Sequence, residues 1–577
     1  KSFREEQRAR ERYRAVYLEH EGEHTPRVKE HDIVFSNSGD ELNLSSRLEV
    51  WNPTGKNLSR VVLYLNPFLK VNRVESGNKA VTFKREGQAL VVDIPLPEGD
   101  SVVLEMDYSG KIDERVCYLD IPDKDYYNTS RFDAAFHWGR RYAYTGKEFT
   151  LLLPECIWYP VTIPPVALSK PVPGVNFTRF HLRVKDAGDR AVLSQGVSRR
   201  EGGDWCFDTG TPLEGISLCA GYYARKSARV KDFNVSIDPY NRGKKKHVSN
   251  PFTIEVYHFK GHDFFSGAFT RLRHDEIEYL IEEEIGDRGD FEYPSGKLRL
   301  IETPLAFTSY FRAVKGKSEL SQPGMVFYPE LGASLAWLYD FRYSVNRFAA
   351  TRRPEQISVK RFEGNTVQIA VGNLLDLDIY CRDNDTFVND LFCSSIPSSR
   401  GNEVSCYPLM KVPAGRVIST DYPVLDLALK RTMQQILRRK GGMNFNIPNG
   451  VRDYLKDKSL EDALNEPGMD PHLLNSIIEQ KGVVLGNYVC WHGMKFDDFY
   501  RYLRDYYRER PREIPLEELV ADIKSDLGVD LMPFLPGWYT SRELPCFLIK
   551  DIKYEVVREP FPRRTKTSLK VYNPSGQ

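Results

Sequence analysis

Residues 42–51 read LNLSSRLEVW, and this stretch decides the class of the N-terminal region. Leu42, Leu44, Leu48 and Val50 stand at alternating positions, with mostly polar residues between them. Successive side chains of a β-strand point to opposite faces, so a period of two places these four side chains on one face. The stretch therefore predicts a strand of a sheet that buries one face and exposes the other.

The same period continues well beyond this strand. Strand-like runs separated by Asn, Pro and Gly turns include LSRVVLYL (58–65), ALVVDIPL (89–96), SVVLEMDYSG (101–110), FTRFHLRV (177–184) and ISLCAGYY (216–223). Together they predict an all-β region of roughly 200 residues, long enough for two packed sheets or a large saddle.

The period lengthens after about residue 260. Residues 272–286 have helical spacing and end at a glycine, and a strand-like run, KLRLIETP, follows at 297–304. Residues 421–440 form an amphipathic helical pattern, and 471–539 are mainly helical by the same criterion. Strand character returns from residue 547. The order of elements predicts a multidomain α+β protein.

The total charge bears on one class of partner. Among 577 residues, lysine and arginine number 81 against 80 aspartate and glutamate, so the composition gives no support for nucleic-acid binding. No run approaches the length of about 18 apolar residues that a membrane-spanning helix needs. The chain begins KSFREEQ without a methionine, and we expect a mature product or an excised piece.

The first residues form a charged leader. Residues 1–21 are dominated by Arg and Glu, with a thin apolar stripe at Tyr13, Val16 and Tyr17. The spacing predicts a helix that ends near Gly22. Because the stripe is thin, we expect a solvated helix or a linker rather than a core element.

The end of this leader contains an H-E-x-x-H motif, HEGEH at 20–24. In zinc peptidases His20 and His24 would bind the metal from one helical face, and Glu21 would activate a water molecule. Here Gly22 lies inside the motif, where a helix is expected to end. In zincins of this type the third ligand follows 19 residues after the second histidine, a position held by Asn43 in a predicted strand. We therefore interpret HEGEH as a helix end and keep a zinc site as the alternative.

A second pair of histidines, His258 and His262, has the same spacing in YHFKGH. Gly261 disfavours a helix there, and the glutamate is missing. We interpret this stretch as a strand end followed by a loop.

Several longer stretches resemble a known family in the expected order. LIEEEIGDRGDFEYPSGKLRLIETP (280–304) is similar to the helix, turn and strand that lead into the catalytic domain of aminopeptidase N-like metallopeptidases. SELSQPGMVFYPE (318–330) falls where that family carries its G-x-M-E-N exopeptidase motif. Residues 477–489, 496–510 and 514–545 resemble its late catalytic helices and the exit into a β-sandwich. The resemblance extends over most of residues 32–560.

A narrower resemblance is to peptidase-like extracytoplasmic regions fused to ABC-transporter permeases. It rests on PECIWYP (154–160), LSQG (193–196), PLEGISLCAGYY (212–223), QPGMVFYPE (322–330), DYPVLDLAL (421–429) and VYNPSG (571–576). The leader is similar to the juxtamembrane segment of those proteins. The resemblance implies four segments: a charged helical leader at 1–31, a β saddle at 32–248, a degenerate thermolysin-like domain at 249–546, and the start of a β-sandwich at 547–577.

The chain departs from the family where the chemistry is expected. Aligned on Pro323-Gly324, the exopeptidase Glu falls on Ser321 and the neighbouring Asn on Gln322. A serine cannot hold a substrate's α-amine by charge. The zinc helix is expected 30 to 40 residues further on, but no histidine occurs between His274 and His472. The family's zinc motif is therefore absent, and we expect no cofactor.

The resemblance implies that a degenerate cleft persists. Its predicted lining residues are Glu302, Ser321, Gln322, Gly324, Met325 and Glu330. We interpret the chain as a non-catalytic module on the extracytoplasmic, periplasmic side of a bacterial inner membrane. Its expected partners are permease segments or transporter subunits, with a peptide or protein as ligand. The alternative is a zinc-dependent aminopeptidase with an unusual metal site at His20, Glu21 and His24.

Overall fold

A computed structural model of the chain describes residues 3–21, 23–120, 142–165, 174–230, 233–236, 245–248, 252–261, 297–304, 321–329, 415–430, 449–466, 469–542, 548–557 and 564–572. The chain divides into two compact units. The first contains Lys1–Ile418 and Arg504–Ile514, and the second contains Ser419–Leu503 and Pro515–Gln577. The fold is multidomain, with many β-sheets and some helices.

The N-terminal part of the first unit opens with one helix and continues as an all-β region. Its elements are α1 Phe3–Glu19, β1 Arg27–Ser38, β2 Glu41–Trp51, β3 Val61–Tyr64, β4 Leu69–Ser76, β5 Lys79–Ala80, β6 Phe83–Glu86, β7 Ala89–Val92, β8 Ser101–Gly110, β9 Ala143–Thr145, β10 Phe149–Leu152, β11 Arg179–Val184, β12 Ala191–Ser194, β13 Val197–Glu201, β14 Asp204–Asp208 and β15 Leu218–Gly221.

These strands form three sheets around a shared apolar core. The largest has the order β13-β14-β11-β1-β2-β8-β4-β5, beside a four-stranded sheet β12-β15-β10-β9 and a three-stranded sheet β3-β7-β6. Phe35 from the first sheet, Leu218 from the second and Leu63 from the third belong to one buried cluster. The predicted all-β region is confirmed at this level.

A second group of strands forms a mixed sheet. The strands are β16 Tyr223–Val230, β17 Phe233–Ser236, β18 Lys245–Val248, β19 Phe252–Phe259, β20 Lys297–Thr303, β21 Ser321–Gln322 and β22 Met325–Pro329. The sheet has the order β16-β19-β20-β22-β21, and β17 pairs with β18 separately. Strands β19, β20 and β22 run parallel. The boundary predicted at residue 248 lies between β16 and β19, which pair along their length.

The remaining elements are mostly helical. They are β23 Arg416–Ile418, α2 Asn449–Leu455, α3 Leu460–Asn465, α4 Pro471–Trp491, α5 Phe496–Glu509, β24 Glu513–Pro515, α6 Leu516–Leu527, α7 Leu535–Thr540, β25 Leu548–Val557 and β26 Arg564–Tyr572. The helical pattern predicted for 471–539 and the strands predicted after 547 are confirmed. The helix predicted at 272–286 lies outside the described residues.

Sequence signals explain the ends of these helices. Ser459 caps α3 in a capping box with Asp462, and Gly528 ends α6 in the left-handed conformation, with φ of 70°.

Lys481 in α4 is buried, and its ammonium donates to the Trp538 carbonyl at 2.9 Å. Burial lowers the pKa of Lys481 to about 8. Among the described residues, no helix is both long and apolar enough to cross a membrane.

The strand pattern at 42–51 is confirmed, including one polar position on the inner face. Leu42, Leu48 and Val50 are completely buried in β2, and Ser46 between them is buried as well. Its hydroxyl lies 2.9 Å from His31 Nε2 in β1 and 2.9 Å from the Tyr108 hydroxyl in β8. The three side chains form a buried polar network across three neighbouring strands, which satisfies groups that would otherwise be costly to bury.

The leader packs as a core element, so the expectation of a solvated helix is wrong. Ala9, Arg10 and Tyr13 of α1 are buried against the β-region. The Arg10 guanidinium donates to the carbonyls of Cys117 and Tyr118, both at 2.6 Å, and to that of Arg115 at 3.2 Å. The packing of α1 thus depends on a charged residue, Arg10, which donates to backbone carbonyls about a hundred positions away. Hydrophobic periodicity does not reveal a contact of this kind.

His31 predicts a pH-dependent stability. Burial lowers its pKa from 6.5 to about 3, so the unfolded chain binds more protons between these values. The stabilisation from neutral His31 is complete above pH 6.5. It is lost as the pH falls towards 3, by up to about 1.4 kcal/mol per pH unit. We expect His31→Gln, which cannot titrate, to flatten the rise in unfolding free energy between pH 5 and pH 7 in urea denaturation. His181→Gln, at a histidine whose side chain is 38% exposed, is the control; equal slopes in all three proteins would contradict the prediction.

Arg10 predicts that the leader contributes to stability. We expect Arg10→Met to lower the unfolding free energy by roughly 2–4 kcal/mol, because three carbonyls lose a charged donor in a buried place. The neighbouring Arg12 is exposed, so Arg12→Met is a matched control that should change stability by no more than about 0.5 kcal/mol. Urea denaturation followed by tryptophan fluorescence measures both. Equal effects of the two substitutions would show that α1 is not held by Arg10.

Candidate functional site

The predicted cleft is built on the hairpin of β21 and β22. Ser321 pairs with Val326 and Gln322 with Met325, so Pro323 and Gly324 form the two-residue turn. Gly324 has φ of 68°. Proline first and a positive-φ glycine second are the signature of a type II turn. Pro323-Gly324 therefore fixes how β21 folds back onto β22. Glu330 lies outside the described residues.

Strand β21 lies at the margin of the mixed sheet. It is the last strand in the order that the described residues define, next to β22 and then β20. A strand in this position offers main-chain groups to one further extended segment. The structure thus places Ser321 and Gln322 on a two-residue edge strand.

Glu302 has a structural role at the end of β20. Its side chain is buried, and its carboxylate accepts a hydrogen bond from the Phe259 amide at 2.5 Å. Its carbonyl accepts from the Tyr223 hydroxyl at 2.8 Å. Glu302 therefore links three strands of the sheet, β16, β19 and β20.

Met325 is a core residue. Its side chain is completely buried in an apolar cluster with Phe327, Ile301 and residues of the β-region such as Leu151 and Leu193. A side chain in this position fills the space between the mixed sheet and the four-stranded sheet. Met325 was predicted to line a cleft, but its complete burial places its side chain in the apolar core.

Gln322 meets a buried carboxylate that the sequence did not single out. Its amide nitrogen lies 3.5 Å from Glu155 Oε2, and both side chains are buried. Glu155 is the second residue of PECIWYP and lies in a short 3-10 helix, Pro154–Cys156. The available signal was a charged residue inside an otherwise apolar stretch, which indicates a specific buried role.

A second buried carboxylate, Glu255 in β19, also escaped the sequence reasoning. It accepts from the Tyr257 hydroxyl at 3.0 Å and lies 3.2 Å from Lys297 Nζ. Arg299 Nε and Arg225 Nη1 are each 3.6 Å away. Three cations around one carboxylate form an ion-pair network on the first three strands of the mixed sheet.

The HEGEH stretch is not a zinc-binding helix in this structure. Helix α1 ends at Glu19, so His20 and His24 do not share a helical face. The His20 imidazole is buried, and its Nδ1 lies 2.9 Å from Glu23 Oε1. Arg60 Nη2 contacts the same carboxylate oxygen at 2.9 Å. These contacts connect the end of α1 to Arg60, the residue before β3. Gly22 lies outside the described residues.

The other histidine pair is divided. His258 lies in β19, which agrees with a strand end, and its Nδ1 is 3.1 Å from the Phe259 carbonyl. His262 lies outside the described residues. Throughout the described ranges, no three His, Cys, Asp or Glu side chains converge in a way that could hold a metal ion. The segment where the family resemblance places a zinc helix, 331–414, is not described.

Comparisons with known proteins give similarities of structure only. No protein-family model and no curated protein matches the sequence. The structure is similar to an M1 zinc metallopeptidase from Deinococcus radiodurans, with 13% identity, 91% of this chain and 96% of that chain covered, and a TM-score of 0.41. A two-domain M1 zinc metallopeptidase bound to L-arginine gives the same identity and coverage, with a TM-score of 0.43.

A third similar structure is Legionella pneumophila aminopeptidase A in complex with aspartic acid. Its identity is 13% and its TM-score 0.46, and the match covers 95% of this chain and 52% of that chain. This chain thus spans about half the length of that protein. Because these TM-scores lie below 0.5 and the identities below 25%, we draw no conclusion about activity from the similarities.

The turn at Gly324 predicts a local effect on β21. We expect Gly324→Ala to loosen the hairpin by about 1–2 kcal/mol, because an alanine Cβ disfavours the left-handed conformation. Hydrogen–deuterium exchange of the peptide covering 321–329 should become faster. Gly537 lies in α7 with open space around it and is not in the left-handed region. Gly537→Ala is the matched control and should leave that peptide unchanged; unchanged exchange in Gly324→Ala would show that the turn tolerates a side chain.

Proposed function

We propose that this chain is a non-catalytic, aminopeptidase-like extracytoplasmic module that binds a peptide or protein partner for an ABC-type transporter. The observation that carries the proposal is the edge strand β21, which ends the described mixed sheet and bears Ser321 and Gln322. The sequence resemblance assigns these two positions to the groups that hold a peptide's amino terminus.

An edge strand supplies binding through its main chain. An extended peptide that pairs with β21 would receive hydrogen bonds from backbone groups, whatever the side chains are. At the position of the family's glutamate, Ser321 offers no charge. The neighbouring Gln322 amide contacts the buried Glu155. We therefore expect a site that accepts an extended peptide without selecting a free α-amine.

The lack of catalysis is supported by the residue types present. Zinc hydrolysis needs three protein ligands, drawn mainly from His, Cys, Asp and Glu, and an open position for water. No histidine occurs between residues 274 and 472. In addition, α1 ends before HEGEH begins. In the proposed module the edge strand β21 remains for binding, and the histidines of a zinc site are missing from residues 275–471.

The setting at a bacterial inner membrane rests on the resemblance of the leader and of six short motifs. The packing of α1 adds a physical argument. Arg10 and Tyr13 fix the leader to the β-region, where the Tyr13 hydroxyl donates to Asp113 Oδ2 at 2.7 Å. The β21–β22 hairpin packs on the β-region through Met325 and Phe327. A leader held in this way would therefore connect peptide binding at β21 to a segment attached before the leader, which supports coupling to a transporter.

Peptide binding tests this proposal. We expect fluorescently labelled peptides to bind the whole chain without cleavage, and an N-acetylated peptide to bind as well as the free-amine form. Ser321→Glu restores the missing carboxylate, so it should raise affinity for the free-amine peptide by roughly tenfold and leave the acetylated peptide unchanged. Ser198→Glu, which adds the same charge on the exposed strand β13, is the matched control.

Two outcomes would overturn the proposal. One is the absence of saturable peptide binding in the wild type and in Ser321→Glu. The other is peptide cleavage that a metal chelator abolishes, which would favour the zinc aminopeptidase. Equal gains in Ser198→Glu and Ser321→Glu would show that the effect is general charge attraction and not recognition at β21.

A further inference from the structure

A cavity lies where α1 ends, in a part of the molecule that the proposed function does not use. Its volume is about 260 Å³, and it opens to solvent. Sites for drug-sized ligands usually measure about 300–1,000 Å³, so this space suits a smaller molecule. Its wall combines apolar side chains, Leu58 and Val62, with the ion pair of Glu23 and Arg60.

Glu23 keeps one carboxylate oxygen available at this cavity. Its Oε1 accepts from Arg60 Nη2 at 2.9 Å and lies 2.9 Å from Nδ1 of the buried His20. A carboxylate oxygen only accepts hydrogen bonds, so Nδ1 donates the second one. Within the described residues, Oε2 of Glu23 makes no hydrogen bond or ion pair. His20 therefore orients the carboxylate, and Oε2 can bind a positively charged group.

Arg60 has donors to spare in the same place. A guanidinium carries five N–H groups. In the part of the chain that the structure describes, Arg60 contacts a carboxylate through Nη2 alone. Its side chain is 48% exposed, so the remaining donors can be reached from solvent. They suffice for a second carboxylate in the two-bond geometry that arginine favours.

Tyr64 adds a neutral donor to the wall. Tyr64 is 6% exposed and lines the cavity, and its hydroxyl makes no hydrogen bond with another described residue. Burial, together with the negative charges of Glu23 and Glu21, raises the pKa of Tyr64. The hydroxyl therefore stays protonated and can donate. Since a buried hydroxyl without a partner is costly, an acceptor atom in the cavity would stabilise it.

The charges at the wall match those of an α-amino acid. Such a molecule carries an ammonium and a carboxylate on the same carbon atom, so its two charges lie close together. Glu23 and Arg60 are in contact and present the two opposite charges side by side. A molecule with one charge only would meet one favourable partner and one like charge. The apolar surface of Leu58 and Val62 fits an aliphatic side chain.

We propose that this cavity binds a free α-amino acid with an aliphatic side chain. Glu23 Oε2 would accept from the ammonium, and Arg60 would bind the carboxylate. Tyr64 would donate to a carboxylate oxygen, and the ligand side chain would lie against Leu58 and Val62. Strand β21 takes no part in this site, so the inference is independent of the proposed peptide binding.

Titration of the whole chain with L-leucine by isothermal calorimetry tests the inference. We expect one saturable site per chain, with a dissociation constant on the order of 0.1–1 mM for a ligand of this size. Isocaproate is leucine without the ammonium, and isoamylamine is leucine without the carboxylate. Each should bind at least roughly tenfold more weakly, because one charge of the site loses its partner. Ser321→Glu should bind leucine as the wild type does.

Substitutions at the wall locate the binding. Arg60→Gln and Glu23→Gln should each weaken leucine binding by roughly tenfold or more. Val62→Phe narrows the cavity and leaves the ion pair in place, so its expected loss of binding does not depend on charge. Arg73 is the matched control: it is 47% exposed, pairs with Asp107 at 2.7 Å and is not at the cavity wall. Arg73→Gln should bind leucine like the wild type.

Several outcomes would overturn the inference. The absence of saturable leucine binding in the wild type would do so directly. Equal affinities for leucine, isocaproate and isoamylamine would exclude recognition of the paired charges. Unchanged binding in Arg60→Gln and Val62→Phe, or an equal loss in Arg73→Gln, would show that leucine does not bind in this cavity. Peptide binding at β21 by a chain that does not bind leucine would overturn this inference alone.

Discussion

The eight-stranded sheet is held in register by β1, which is hydrogen-bonded to β2 on one side and to β11 on the other. The first pairing is antiparallel and the second parallel. A slip of one residue would turn Ile33 and Phe35, both buried, towards solvent. Since β1 begins a few residues after α1 ends, its register also sets the position of the leader. The cavity around His20 depends on that position.

The leader shows how a charged sequence can belong to a core. Its apolar stripe is thin, so hydrophobic periodicity predicts a solvated helix. The missing information is the location of the carbonyls of Arg115, Cys117 and Tyr118, which accept from Arg10. They come from a segment far along the chain, and only the folded β-region brings them to the helix. The inner-face serine of β2 is a similar case, because its partners His31 and Tyr108 lie on two other strands.

The candidate site was predictable to the extent that it is local. Pro323-Gly324 specifies its own turn, and the strands beside it follow from short apolar runs. The roles of individual side chains were not predictable, because they depend on residues distant in sequence. Glu302 binds the amide of Phe259, and Gln322 lies against Glu155. For the same reason HEGEH, read as spacing alone, points to Glu21, whereas the folded chain brings Glu23 and Glu86 to the imidazole of His20.

The proposed function requires that a peptidase-like fold can bind a peptide without its catalytic side chains. The chemistry of hydrolysis resides in a few side chains, and each can be removed by one substitution. Pairing along an edge strand resides in main-chain groups, and these persist as long as the turn and the sheet persist. In this chain the turn is fixed by Gly324, and Met325 and Phe327 anchor the hairpin in an apolar cluster shared with the β-region. Selection for folding alone would therefore maintain the edge at β21. In the proposed function, Ser321, which lies on that edge and carries no charge, would favour recognition of an extended backbone over recognition of a free amino terminus.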